Sequence, residues 1–338
     1  MNLRWTVHEL RLHHPFTIAR GSSMTRRVVV TELEHDGIVG RGEAAPIARY
    51  GETVESVLHF LSTFDLSRFP DPFALDAVLG AADAHHAGNA AAKTAIDLAL
   101  HDWIGQRVGL PLWKYWGLDP ASAPVTSFTI GIDAPEIVEQ KVREAEGFSI
   151  LKIKLGGEDD RAIIRAVRRA TDRLIRVDAN EGWKKKEDAV EKIRWLEQEG
   201  VEFVEQPMPA EDIAATAWVR DRVTMPLIAD ENSLRLHDVP GLMGAFDGIN
   251  IKLMKCTGLR EAHRMIATAR ACRMKVMIGC MIETSVGITA AAHLTPLLDY
   301  ADLDGNLLIE NDPFVGVRVE NGRLILPDHP GLGVHPRD

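Results

Sequence analysis

Leu174-Ile-Arg-Val-Asp-Ala-Asn180 is a short apolar run that ends on a carboxylate. The form returns twice, as Val201-Glu-Phe-Val-Glu-Gln-Pro207 and as Pro226-Leu-Ile-Ala-Asp-Glu231. The terminal acids Asp178, Glu205 and Asp230 recur about every 25 residues, close to one strand–helix unit of a (β/α) barrel, whose sites lie at the carboxyl ends of its strands. Three carboxylates gathered there repel one another unless a cation joins them. Oxygen ligands of this kind suit a hard ion, with Mg²⁺ ahead of Mn²⁺ or Ca²⁺.

Working outward, Leu151-Lys-Ile-Lys-Leu155 alternates, and so sends Lys152 and Lys154 to one face and the apolar set to the other. Ile249-Asn-Ile-Lys-Leu253 carries Lys252 toward the same end. Strands are predicted at 125–130, 150–155, 174–178, 201–205, 227–230, 248–253, 275–278 and 300–303, with amphipathic stretches between them. Ile163, Val167 and Ala170 share a helical face, as do Ala189, Ile193 and Leu196. The pattern predicts a parallel barrel rather than an open sheet. Before it, Val28 to Leu33 reads as a strand, Asp36-Gly37 as a hairpin turn, and 89–106 as a long Ala-rich helix. Strands followed by segregated helices describe an α+β domain.

The 338 residues allow two domains, and a formal charge of −10 argues against a nucleic-acid partner, which needs a basic face. No apolar run reaches the length of a membrane span, and Met1-Asn-Leu-Arg-Trp-Thr-Val7 lacks a signal-peptide pattern. Three cysteines, Cys256, Cys272 and Cys280, have no metal-ligand spacing, which fits reduced thiols and a cytoplasmic setting. The histidines, including His293, likewise lack zinc spacing, and Trp183 and Trp195 read as packing residues.

Taken singly, the charged residues have ordinary readings: Asp178 and Asp230 as helix caps, Glu205 as a loop carboxylate, Lys252 as a surface lysine. Together, buried among Val, Ile and Leu, they must be paired or bound to metal. Two ammonium groups on one strand face disfavour each other's protonation. That assigns Lys154 as an acid/base and Lys152 as its tuner or as a binder of the substrate carboxylate. Lys252, from the sixth strand, lies across the barrel and supplies a second base. Lys255 falls in the following loop and is the weaker candidate.

At these residues the chain resembles the enolase superfamily, in its muconate-lactonizing-enzyme-like branch. Lys152-x-Lys154, Asp178-x-Asn180, Glu205-Gln-Pro207, Asp230-Glu231 and Asn250-Ile-Lys252 match in order. Closer still, Asn250 to Lys255, Met281-Ile-Glu-Thr284, Gly287 to His293 and Ala301-Asp-Leu-Asp-Gly305 resemble the dipeptide epimerases typified by L-Ala-D/L-Glu epimerase. The resemblance implies a modified (β/α)₇β TIM-like barrel at 116–311. It also implies an N-terminal α+β capping domain at 1–115, completed by a returning tail at 312–338. One Mg²⁺ per subunit would sit on Asp178, Glu205 and Asp230, supported by Asn180, Glu231 and Asn250. Lys154 and Lys252 would invert the carboxy-terminal α-carbon of a small-molecule dipeptide such as L-Ala-D/L-Glu, with Asp302 and Asp304 capturing its α-ammonium. Thr129, Met281 and Ile282 would line the substrate, and a homo-oligomer is left open.

Cap-loop residues Arg20 and Glu52 are the candidates for side-chain specificity, and Arg26 and Arg27 read as solvent-exposed. A register placing Ser23 in the arginine position of acidic-specific relatives, or a role for Glu52 or Met24, would favour uncharged, cationic or apolar side chains. The alternatives are cationic or hydrophobic dipeptides, N-acylamino-acid racemisation, o-succinylbenzoate synthesis, muconate cycloisomerisation, and a metal-stabilised binding protein that needs no opposed bases.

Overall fold

The computed structural model describes residues 1–157 and 159–337. Three antiparallel strands, β1 (Asn2–Ile18), β2 (Gly21–His35) and β3 (Ile38–Ala44), form the first sheet. The turn between β2 and β3 is Asp36-Gly37, both at positive φ, as a tight hairpin requires. Helices α1 (Val54–Thr63), α2 (Leu75–His85) and α3 (Ala90–Val108) pack on this sheet, and a short α4 (Leu112–Tyr115) leads away.

Helix α3 is buried on every side from Ala91 to Gly105, so it shows no amphipathic stripe. It is the spine between the two parts of the molecule. Its small residues let β3 come close: a Cβ on Gly40 or Gly42 would strike the carbonyls of Ala99 and Ala95. Its polar residues reach the other way. Thr94 Oγ1 donates to Leu253 O at 2.7 Å, and Asp102 accepts from Arg41 N and Leu332 N, each at 2.7 Å.

Eight parallel strands follow in ring order: β4 (Phe128–Ile130), β5 (Ile150–Lys154), β6 (Leu174–Asp178), β7 (Val201–Glu205), β8 (Leu227–Ala229), β9 (Gly248–Ile251), β10 (Lys275–Gly279) and β11 (Tyr300–Asp302). The Thr126–Ala301 bridge, with Ser127 N donating to Ala301 O at 3.2 Å, closes β11 against β4. All eight predicted strands are present. The differences lie at their ends. β8 stops at Ala229 and β9 at Ile251, because Asp230 enters a turn and Lys252 is the N-cap of a short helix.

The outer layer is α5 (Pro135–Glu144), α6 (Asp160–Ala170), α7 (Lys186–Gln198), α8 (Ile213–Arg220), the short α9 (Leu253–Cys256), α10 (Leu259–Ala271) and α11 (Ser285–Ala292). Between β8 and β9 the chain makes a 3-10 segment, Leu236–Leu242, interrupted by Pro240, in place of an α-helix. This is a (β/α)₇β barrel with one connection altered. Inside it, Arg176, Phe203 and Tyr300 plug the amino-terminal end, with the Arg176 guanidinium over both rings and Nε on Glu202 at 2.7 Å.

The tail pairs β12 (Phe314–Val315) with β15 (His335–Pro336) and β13 (Arg318–Glu320) with β14 (Arg323–Ile325), the latter turning at Asn321-Gly322. It meets the first part at α3 and Leu110, where Gly331 N donates to Leu110 O at 3.0 Å. Its last residue, Asp338, lies outside the described residues. Among the described residues no helix is long and apolar enough to cross a membrane.

A second tie between the parts is Glu43, fully buried at the end of β3. Its carboxylate accepts from Thr284 N at 2.8 Å, Thr284 Oγ1 at 2.6 Å and Gly287 N at 2.9 Å, capping α11 from another sheet. Glu43→Ala should orphan three buried donors and lower global stability by about 2–4 kcal/mol. Chemical denaturation of parent and variant measures it; an unchanged midpoint would contradict the role.

Candidate active site

Strand alternation brings the site together. In the β5–β6–β7 register Lys154 lies beside Asp178, and Asp178 beside Glu205, all at the carboxyl end and all buried. Asp230 follows β8. One carboxylate oxygen each of Asp178, Glu205 and Asp230 falls within 4.8 Å of the others. Past the first two acids the chain turns through left-handed backbone at Asn180, Glu181 and Gln206, with φ of 44°, 66° and 38°. Such conformations are costly for non-glycine residues and collect at functional sites. At Gly156, just past β5, a Cβ would collide with the Ala179 carbonyl, so only glycine lets these two loops meet.

Lysines surround the acids. Lys152 Nζ lies 2.7 Å from Glu205, 2.7 Å from Asp302 and 3.2 Å from Asp178. Lys154 Nζ is 2.7 Å from Asp178, and Lys252 Nζ 2.8 Å from Asp230. Lys255 grips the other Asp230 oxygen and the carbonyls of Asp230 and Asn250. That makes it a clamp on Asp230, set back from the cavity. Burial alone would lower the Lys152 ammonium, but Asp302, Glu205 and Asp178 outweigh it and hold it well above its ordinary value. Burial would likewise raise Asp178 and Asp230. Lys154 and Lys152 hold the first below the usual carboxylate range, and Lys252 and Lys255 hold the second there. Glu205 differs: burial and the neighbouring Asp178 charge push it up to about 7.

Asn180, Glu231 and Asn250 lie beside the carboxylates. Asn250 Nδ2 donates to Glu205 Oε1 at 2.8 Å, Asn180 N to Asp178 Oδ1 at 2.9 Å, and Asn180 Nδ2 to Glu231 Oε1 at 3.5 Å. Several buried acceptors are left over. Glu231 Oε2 and Asn180 Oδ1 have no donor, and Glu205 Oε2, although near the Lys152 ammonium, has no aligned one. Buried oxygens without donors, around three converging carboxylates, fit a hard divalent cation.

Above this layer a cavity of about 720 Å³ opens between the barrel mouth and the first sheet. Thr129, Lys152, Lys154, Lys252, Asp302 and Asp304 line its floor, and Met281 and Ile282 one wall. Asp302 Oδ1 accepts from Ser127 Oγ and Asp304 Oδ2 from Thr129 N, both at 2.6 Å. Burial would raise Asp302, but Lys152 holds it low; burial and the Asp302 charge push Asp304 up to about 7.

The cap-loop candidates are arranged differently from each other. Arg20 reaches the cavity, but its Nη1 is occupied by Glu231 at 2.7 Å, Asn180 O at 3.0 Å and Glu181 at 3.1 Å. Arg49 makes a two-toothed pair with Glu181 at 2.9 and 3.0 Å. Together they clasp the cap loops to the barrel. Glu52 accepts from Ala90 N at 2.6 Å and Ala91 N at 3.1 Å, capping α3. Sequence reasoning missed Ser127 and Glu181, and saw Arg49 only as part of the cap-loop segment Arg49-Tyr-Gly-Glu52 that resembles the family's mobile loops. Ser127 carried a signal, lying within the strand predicted at 125–130. The tryptophans pack as expected, Trp183 Nε1 donating to Asp160 at 2.8 Å, and His293 bridges Trp113 N and Leu332 O.

A buried carboxylate triad, lysines on facing strands and a covered barrel mouth define an enolase-type site. Residues 3–117 match the mandelate racemase / muconate lactonizing enzyme N-terminal domain, and residues 136–338 the enolase C-terminal domain-like family. The chain is 49% identical over 335 residues to the L-Ala-D/L-Glu epimerase of Bacteroides thetaiotaomicron, across 99% of this chain and 88% of that one. It is 38% identical over 348 residues to the hydrophobic dipeptide epimerase of Roseobacter litoralis, across 98% of each. The dipeptide epimerase of Enterococcus faecalis, solved with Mg and L-Leu-L-Tyr, superposes with a TM-score of 0.93 at 36% identity, across 98% of both chains. The chain therefore belongs to the mandelate racemase / muconate lactonizing enzyme group of the enolase superfamily, and within it to the dipeptide epimerases.

Proposed function

We propose that this chain inverts the α-carbon of the carboxy-terminal residue of a dipeptide, with L-Ala-L/D-Glu the favoured substrate, by two-base proton transfer. The observation that carries the reading is the placement of Lys154 and Lys252. They end β5 and follow β9, four strands apart in a ring of eight, and both face the cavity. Bases on opposite sides of one carbon can remove a proton from one face and return it on the other. A site with one base would retain configuration or eliminate.

The α-hydrogen of a carboxylate is a weak acid because its removal doubles the charge on the group. Asp178, Glu205 and Asp230 would hold one Mg²⁺, which when bound supplies Lewis-acid stabilisation of that charge. Lys152, kept cationic by its three carboxylates, adds a donor at the same place. Residues 1–115 act as the cover that excludes water from the mouth of the barrel of 116–311, with segments between Glu9 and Glu55 lining the cavity, and the tail from 312 braces that cover at α3.

Asp302 and Asp304 face the end of the cavity where the substrate's amino terminus would lie. An ammonium there gains charge-assisted hydrogen bonds that an amide cannot replace. N-acetyl-L-Ala-L-Glu is therefore expected to fall at least about 100-fold in kcat/KM against the free dipeptide. Comparable values would favour N-acylamino-acid racemisation instead. The test of the whole reading is α-proton exchange in D₂O with each diastereomer, followed by NMR; exchange with inversion supports it, and absence of exchange on every dipeptide overturns it.

A further inference from the structure

We propose that Phe16 and Leu308 limit how large the amino-terminal residue of the dipeptide can be, by walling off an apolar pocket beside the place of its ammonium group. The inference rests on the dipeptide epimerase reading and adds the residues that limit the first side chain.

A second cavity, of about 360 Å³, lies against the first. Three residues, Phe16, Thr129 and Leu308, line both, and so form the partition between them. The chain holds this partition in place from two sides. The β1–β2 register breaks between Arg11 and Phe16. In that gap β1 turns to the segment after β11, where Leu12 bridges Ile309 and His13 N donates to Leu308 O at 3.1 Å. Phe16 then rejoins the ladder opposite Ser23, with the Lys154 ammonium 5.9 Å from its ring centroid. Phe16 and Leu308 both pack on the apolar cluster that holds Leu12 and Ile309.

The first side chain is the one that meets the partition. On the dipeptide reading Asp302 and Asp304 hold the ammonium, and Asp304 is itself held by the backbone N–H of Thr129, a residue of the partition, at 2.6 Å. The first α-carbon is bonded to that ammonium nitrogen, so its side chain begins one bond further on. The second α-carbon has to lie between Lys154 and Lys252 instead.

The pocket behind the partition suits an uncharged side chain. Leu12, Phe128 and Ile130 supply apolar wall. Its charged and titratable residues face partners of their own: Lys141 lies 3.0 Å from Asp133, His14 2.9 Å from Glu144 and His13 4.0 Å from Glu310. One methylene more or less in an apolar pocket changes kcat/KM by about 10-fold or more. With the wall closed, the same methylenes overlap Phe16 and Leu308, and a packed wall gives way only at a cost.

The test compares L-Ala-L-Glu, L-Leu-L-Glu and L-Ala-L-Leu on the full-length, Mg²⁺-loaded enzyme. The parent is expected to favour L-Ala-L-Glu over L-Leu-L-Glu by at least about 30-fold in kcat/KM. Leu308→Ala and Phe16→Ala should each move that ratio about 10-fold toward L-Leu-L-Glu, chiefly through KM. Leu308→Ala is the cleaner of the two, since it leaves the ring beside Lys154 in place. Adding Phe128→Trp, at a residue that lines only the second cavity, should refill the pocket and return the ratio toward the parent's. Four results would overturn the assignment while leaving the epimerase reading standing: a ratio unchanged in both single variants, a ratio that stays moved in the double variant, a parent that takes L-Leu-L-Glu as readily as L-Ala-L-Glu, or a gain on L-Ala-L-Leu in place of L-Leu-L-Glu. Failure of the parent to exchange any dipeptide would overturn both.

Discussion

Lys252→Ala is expected to reduce epimerisation by at least about 1,000-fold, the scale of a lost general acid–base group, while one diastereomer still exchanges its α-hydrogen with solvent. Lys154→Ala should show the complementary pattern, with exchange surviving in the other diastereomer. The asymmetry is the informative part. A lysine that merely held the metal carboxylates in place would, when removed, depress exchange of both diastereomers alike. The structure gives each lysine its own acid, Lys154 on Asp178 and Lys252 on Asp230, so neither substitution strips the partner base of its anchor. Lys255 stays on Asp230 in the Lys252 variant and limits the charge left uncompensated there. Deuterium incorporation into L-Ala-L-Glu and L-Ala-D-Glu, followed separately by NMR, makes the measurement. Near-parent epimerisation by Lys252→Ala would remove the two-base mechanism.

How much of this was legible in the sequence depends on how far each feature reaches along the chain. Strand alternation is local, so Lys152 and Lys154 could be assigned to the barrel interior from Leu151, Ile153 and Leu155 alone. The strand-end acids were legible for the same reason, each being the last residue of an apolar run. The clasp of Arg20 and Arg49 on Glu181 and Glu231 was not, since it joins loops more than a hundred residues apart through no repeating pattern. Glu52 looked like a free specificity residue because nothing near it announces that it caps α3 across an intervening pair of helices. Nor could half-buried Arg26 be told from exposed Arg27. Val28 to Thr31 is buried on both faces, which hides the alternation, and the register shifts between Arg11 and Phe16 on the partner strand.

Exhaustive chelation is expected to abolish α-proton exchange and leave the protein folded, with activity returning on addition of Mg²⁺. The fold should survive because Lys152, Lys154, Lys252 and Lys255 face Asp178, Glu205, Asp230 and Asp302, so the ion-free site is already compensated. The same pairing is the reason to expect a loss of activity. Burial alone would make the Lys252 ammonium give up its proton more easily, but Asp230 and Glu205 hold it well above its ordinary value. A lysine so held is a poor base, and a dication sharing those carboxylates weakens their grip. An ion held by Asp178, Glu205 and Asp230 would on this reading serve both to stabilise charge on the substrate and to free the base. Asp178→Asn should imitate chelation, with exchange down at least about 1,000-fold and no recovery at millimolar Mg²⁺. Binding can be read without catalysis: Mg²⁺ at a hundred times its dissociation constant should stabilise the parent by about 2.7 kcal/mol and Asp178→Asn far less. Full turnover after chelation, or equal stabilisation of parent and variant by Mg²⁺, would show that these carboxylates serve the fold and not an ion.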